Sequence, residues 1–363
     1  MKISKTIFFS AGIMALLSAC IFDGPGGGPK TNSSRRLFVT SSDFLSGALL
    51  SYTLDSLKRG PDSLQINQDS RVIALGGSVY VLERFGADNL LKYDPVGNRV
   101  VYQKHLGDGW NPADLVANGN TGFVSLEEHP KLLKVDLLNG NILDSLDIST
   151  YTYVPVPGSG TAATSPNASR MVWSGDTLFV ALQRRNGDYL FPNGLSLVLM
   201  VRMSTFTILD TLLAPNRNAA DLWLDGGNLY LACTGTYGVL DGVLYRISLA
   251  NRSFNSVITD SLLSGKADGI SCLGNACAVK VYRNFGDEPV RLFNLSTGAL
   301  GAQLGYAVDS FGGLAMDSAT GVIYVGDRNP TGTGIQAFSA SGVKFKGPVS
   351  TGLPPSSLAV AEF

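Results

Sequence analysis

Few residues in this chain are equipped for chemistry. His105 and His129 are the only two histidines among 363 residues. His129 lies in LEEHPK beside Glu127 and Glu128, a grouping that can move a proton but that no sequence spacing pairs with a nucleophile. A solvated turn explains the same residues, and His105, in YQKHL, reads as a surface position. Three aspartates offer more. Asp114, Asp221 and Asp268 each stand at the start of a short apolar run. If those runs are the inner strands of one closed ring, the carboxylates converge on its mouth, where they suit a divalent cation such as Ca²⁺ or a sugar hydroxyl. The competing reading is local, each Asp accepting backbone N–H bonds in its own tight turn. Neither GxSxG, HExxH, a P-loop nor a CxxCH haem site occurs. A net charge of -1 with Lys and Arg thinly spread leaves no basic stripe to neutralise phosphates, which excludes nucleic acid as a partner class.

The four cysteines divide by context. Cys272 and Cys277 flank Leu273-Gly274-Asn275-Ala276. A two-residue turn at Gly274 and Asn275 sets them opposite each other across a hairpin, within bridging reach. A disulfide suits an oxidising compartment, whereas two cysteines without nearby histidines make half a zinc site. Cys233, in LYLAC, reads as a buried, inert thiol. Cys20 follows Lys2, Lys5 and the apolar run Ile7 to Leu17, the layout of an export signal too short to span a bilayer. Leu17-Ser18-Ala19-Cys20 resembles the lipobox of bacterial lipoproteins. That resemblance implies a signal peptide over 1–19, lipid on Cys20 and acylation of the new amino terminus, with the bilayer as a partner. Ile21 stands where an Asp would favour the inner membrane, so an outer-membrane site in the cell envelope is expected. Residues 20–36 are rich in Gly, Pro and Ser, a flexible tether reaching about 20 Å.

The elements that must position these residues are legible as a repeat. Short apolar strands separated by Gly, Asn and Asp turns recur in groups of four from RVIALGGSVYVLER (71–84) to GIQAFSASGVKFKGPV (334–349). The period is roughly 40 to 55 residues, that of propeller blades. Six full groups leave two fragments. Residues 36–67 supply second, third and fourth strands, and PSSLAVAEF (355–363) supplies a first. Joined, they predict an all-β, seven-bladed propeller over 37–363, its ring closed by the C-terminal strand in the N-terminal blade.

The unit NPADLVANGNTGFVSLEEHPKLLKVDLLNGNILDSLDI (111–148) resembles the YVTN-type repeat of bacterial seven-bladed propellers. Departures are the short turn at Met203 to Phe206 and the insertion at 151–167. In a propeller, the connections from fourth to first strand and from second to third share one face. The first set carries Trp110, Asp114, Asp221 and Asp268. The second carries Arg84, Glu127, His129, Arg184, Arg185, Tyr237, Arg283, Asp327 and Arg328. Arg184, Arg185, Tyr189 and Phe191 are also of the types that anchor interfaces. The preferred expectation is a non-enzymatic, cofactor-free, lipid-anchored propeller that holds a protein or glycan on this face. The alternatives are a lactonase-like hydrolase with Ca²⁺ held by Asp114, Asp221 or Asp268, and a scaffold subunit of an outer-membrane assembly.

Overall fold

The computed structural model describes residues 34–187, 193–284, 286–307, 313–330 and 332–363. Alternating apolar residues make four-stranded antiparallel sheets, and seven of them form the blades of a propeller. The inner strands, in ring order, are Pro355–Glu362, Ser70–Leu75, Pro112–Asn118, Ala168–Ser174, Ala219–Asp225, Lys266–Leu273 and Leu314–Met316. Blade 1 is composite: Pro355–Glu362 pairs antiparallel with Arg35–Ser42, from Arg35↔Glu362 to Ser41↔Pro355. The C-terminal strand therefore occupies the inner place in the N-terminal blade, as the repeat count predicts.

Each blade is apolar on both faces, because each face packs on a neighbour. Seven buried clusters result among the described residues, one at every blade–blade boundary. The closing seam between blades 7 and 1 buries Leu37, Val39, Tyr52 and Leu358 of blade 1 against Tyr324 and Ile335 of blade 7. Glycine is required at this seam: a Cβ on Gly313 would stand 2.7 Å from the Leu358 backbone nitrogen. Polar groups hold the same junction. The buried Arg328 donates to the carbonyls of Pro355 and Ser42, and Arg35 pairs with Asp317 of blade 7. Cys272 and Cys277 face each other in the blade 6 hairpin and are disulfide-bonded, with Cα atoms 4.1 Å apart. Cys233 is buried, and burial pushes its thiol up to about 12.

Candidate functional site

An extra residue near the start of the inner strand, a β-bulge, recurs in blades 3 to 6. Such a bulge re-aims the side chain that follows it. Register then identifies one equivalent position per blade: Ser357, Arg71, Asp114, Arg170, Asp221, Gly269 and Gly313. All seven line the central channel, a cavity of about 400 Å³. Charge alternates around blades 2 to 5 of this ring, with Arg71 3.4 Å from Asp114 and Arg170 3.7 Å from Asp221.

The acidic members are latches between blades. Asp114 accepts the N–H of Leu115 and, from blade 4, that of Met171 at 2.8 Å. Asp221 repeats the arrangement with Leu222 and, from blade 6, Ile270 at 2.8 Å. Ser357 plays the same part for Val72 of blade 2, at 3.3 Å. Burial raises both carboxyl groups, Asp221 to about 6, while backbone N–H groups and Arg71 pull the other way. Asp268 stands outside this set. It precedes the equivalent position, which Gly269 holds, and its carboxylate lies 3.6 Å from Lys280. Among the described residues no three His, Cys, Asp or Glu side chains are grouped to hold a metal.

Above the channel, the loops of blades 2, 3 and 4 are tied by charge. Glu127 accepts from Arg84 at 2.6 Å and pairs with Arg185 at 3.0 Å, and Arg185 also reaches Glu128 at 2.7 Å. His129 stacks on Trp110, ring centroids 4.4 Å apart. The indole folds back only because residue 107 is glycine, whose φ is 152° and whose Cβ would stand 2.3 Å from the ring. His129 Nε2 is buried without a hydrogen-bond partner among the described residues, and burial, with Lys131 nearby, lowers its pKa.

The remaining predicted face residues separate into structural and accessible ones. Arg184 donates to the carbonyls of Tyr151 and Leu195 and lies over the Tyr153 ring, fastening the 151–167 insertion. Asp327 is buried against Asn329 and Gln336, and Arg328 is buried in the seam. Arg283 contacts Asp287 and the Ser264 carbonyl. Tyr237 alone projects freely, 85 % exposed. It borders a cleft of about 270 Å³ between blades 5 and 6, with Asn218, Lys266, Asp268 and Tyr282. Cys20, Tyr189 and Phe191 lie outside the described residues.

Sequence reasoning missed Arg71, Arg170 and the apolar loop tips. A signal for Arg170 exists in the recurring Asn111-Pro-Ala-Asp114, Asn167-Ala-Ser-Arg170 and Asn218-Ala-Ala-Asp221. The Asn of each has a left-handed backbone, φ 50 to 56°. The tips are more telling still. Six large apolar side chains among the described residues are at least 70 % exposed. Leu45, Phe85, Val154, Val156 and Tyr237 lie in connections of the loop face, and only Val96 lies at the opposite end.

No protein-family model and no curated protein matches this chain. Solved structures do resemble it. A functionally unknown protein from Desulfotomaculum acetoxidans DSM 771 superposes with a TM-score of 0.60 at 10% identity, over 90% of this chain and 99% of that one. The computationally designed Ika8 protein gives 0.56 at 9%, over 88% and 86%. Apo AztD from Citrobacter koseri gives 0.53 at 11%, over 91% and 99%. At such identities the likeness extends to the fold alone.

Proposed function

We propose that this protein is a lipid-anchored, extracytoplasmic propeller with a YVTN-type repeat, and that its loop face binds a partner protein. The observation that supports it is the concentration of protruding apolar side chains on that one face. Isolated exposed apolar residues are ordinary, but five of the six most exposed among the described residues share one end of the ring, which supports a contact surface there. Around them, the Arg84–Glu127–Arg185 chain holds the blade 2 to 4 loops in one arrangement, which lowers the ordering cost of binding. The cleft beside Tyr237 and Tyr282 is the part of the face suited to a sugar ring, if the partner is glycosylated. The hydrolase alternative has less support, because Asp114 and Asp221 already accept backbone N–H bonds and face arginines.

Lipid on Cys20 and an outer-membrane site belong to the same proposal. Cys20→Ser is expected to move the protein from the membrane fraction to the soluble one. The binding face is tested by placing a photo-crosslinking residue at Leu45, Phe85 or Tyr237 in living cells, with Val96 as the opposite-face control. Discrete adducts from the three loop positions and none from Val96 are expected; adducts from Val96 alone would defeat the assignment. A second reading, lateral assembly, is favoured by exposed Val100, Val101, Ile142, Leu143, Leu209 and Leu213 on the outer strands of blades 2 to 4. Crosslinks confined to those positions would select it.

A further inference from the structure

The channel is nearly balanced in charge but not in hydrogen-bonding capacity. Both carboxylates of the ring spend their oxygens on backbone N–H groups: Asp114 on Leu115 and Met171, Asp221 on Leu222 and Ile270. The arginines keep theirs. Arg71 commits Nη1 to the Ala113 carbonyl, at 3.0 Å. The Arg170 guanidinium makes no hydrogen bond among the described residues, and its Nε stands 3.7 Å from Asp221. Their side chains are 26 % and 31 % exposed, and both line the cavity. A guanidinium carries five N–H donors in a planar fork and no acceptor, so the unspent capacity calls for an anion's oxygens.

The space to receive that anion is built into the same ring. Gly269 and Gly313 occupy equivalent positions on blades 6 and 7 and contribute no side chain, which leaves the cavity open across from the charged blades. Two residues further along the inner strands, on the same side of each strand, stand Val116, Val172 and Trp223. All three also line the cavity. The cavity thus has donors at one level and apolar wall at the next. About 400 Å³ is enough for a small ligand and within the range of small-molecule sites. Hydrated inorganic anions would gain nothing from the apolar level.

We propose that the channel binds a small organic acid, its carboxylate held by Arg71 and Arg170 and its hydrocarbon portion lying against Val116, Val172 and Trp223. This site is separate from the loop tips and does not rest on their role. Calorimetric titration of the full chain in non-ionic detergent with acetate, butyrate and hexanoate tests it, with sodium sulfate and phosphate as comparison anions. Saturable one-to-one binding is expected, tightening about fourfold per added methylene. Arg170→Gln is expected to weaken hexanoate about tenfold or more, as loss of a charged hydrogen bond does. Quenching of Trp223 fluorescence, abolished in Trp223→Phe, locates the ligand in the channel rather than in the micelle. Arg252→Gln, which removes an outer pair with Asp210, should leave binding unchanged. Because the Arg170 guanidinium makes no hydrogen bond among the described residues, its variant tests the site even if Arg71→Gln fails to fold. The proposal is overturned by no saturation up to about 10 mM hexanoate, by affinity indifferent to Arg170→Gln, or by sulfate or phosphate binding as tightly as hexanoate.

Discussion

At the residue scale, ring position Asp221 is set against its surroundings. Its carboxyl is raised to about 6 by burial, beside Arg170 and Arg71 and with Asp268 adding like charge. A carboxyl whose folded value exceeds its unfolded one binds more protons when folded, so it favours folding most at low pH and loses that contribution as pH rises from about 4 to about 6. Asp221→Asn should remove this component. The stability difference between variant and parent, followed by urea unfolding from pH 4 to 7, should therefore shift in the variant's favour as pH rises; a difference independent of pH would show that Asp221 titrates normally. Glu127 offers a second case, as a shared acceptor for Arg84 and Arg185. Glu127→Ala leaves two half-buried guanidinium groups without it and should cost about 2 kcal/mol. Substituting Glu128, which is more exposed and whose side chain pairs with Arg185 alone among the described residues, should cost under about 1 kcal/mol, so equal losses would refute a shared-acceptor role.

At the scale of elements, the inner strands line the channel and the bulges decide which side chains they present to it. Gly313 lets blade 7 approach Leu358 of the closing strand, so Gly313→Ala should destabilise by about 1 to 3 kcal/mol through overpacking at a backbone contact. An unchanged urea midpoint would mean that the seam has slack. Reducing the Cys272–Cys277 bridge should cost about 2 kcal/mol, the smaller value belonging to a short loop. Strand alternation and turn residues made the blades and the composite blade 1 legible in the sequence, because period-two patterning survives in each repeat. The ring positions were harder to read. A bulge adds a residue without adding a turn signal, so Asp268 looks equivalent to Asp221 in sequence although Gly269 takes that place. Arg170 hides for the converse reason, since an unlike side chain fills an equivalent position. Arg328 looks like a loop charge, and only the arrival of Pro355 and Ser42 from both ends of the chain makes it a buried clamp.

At the scale of the whole molecule, stability is shared around a closed circuit of seven interfaces. Removing Ser356–Phe363 deletes one strand's area and also opens that circuit, exposing the edge of Arg35–Ser42 and the blade 7 face. The truncated chain should lose its single cooperative transition, and one that melts at the parental temperature would contradict closure as the source of that cooperativity. The composite blade also has a consequence in time. Its inner strand is encoded after every other strand, so Arg35–Ser42, among the first made, must wait for almost all of the remaining chain. At about 5 to 20 residues per second the wait lasts on the order of tens of seconds, during which a nascent chain presents an unmatched strand edge to its neighbours. Losses to aggregation should therefore follow the rate of elongation and the supply of chaperones that shield the nascent chain, and mutations that strengthen the finished ring should do little to reduce them.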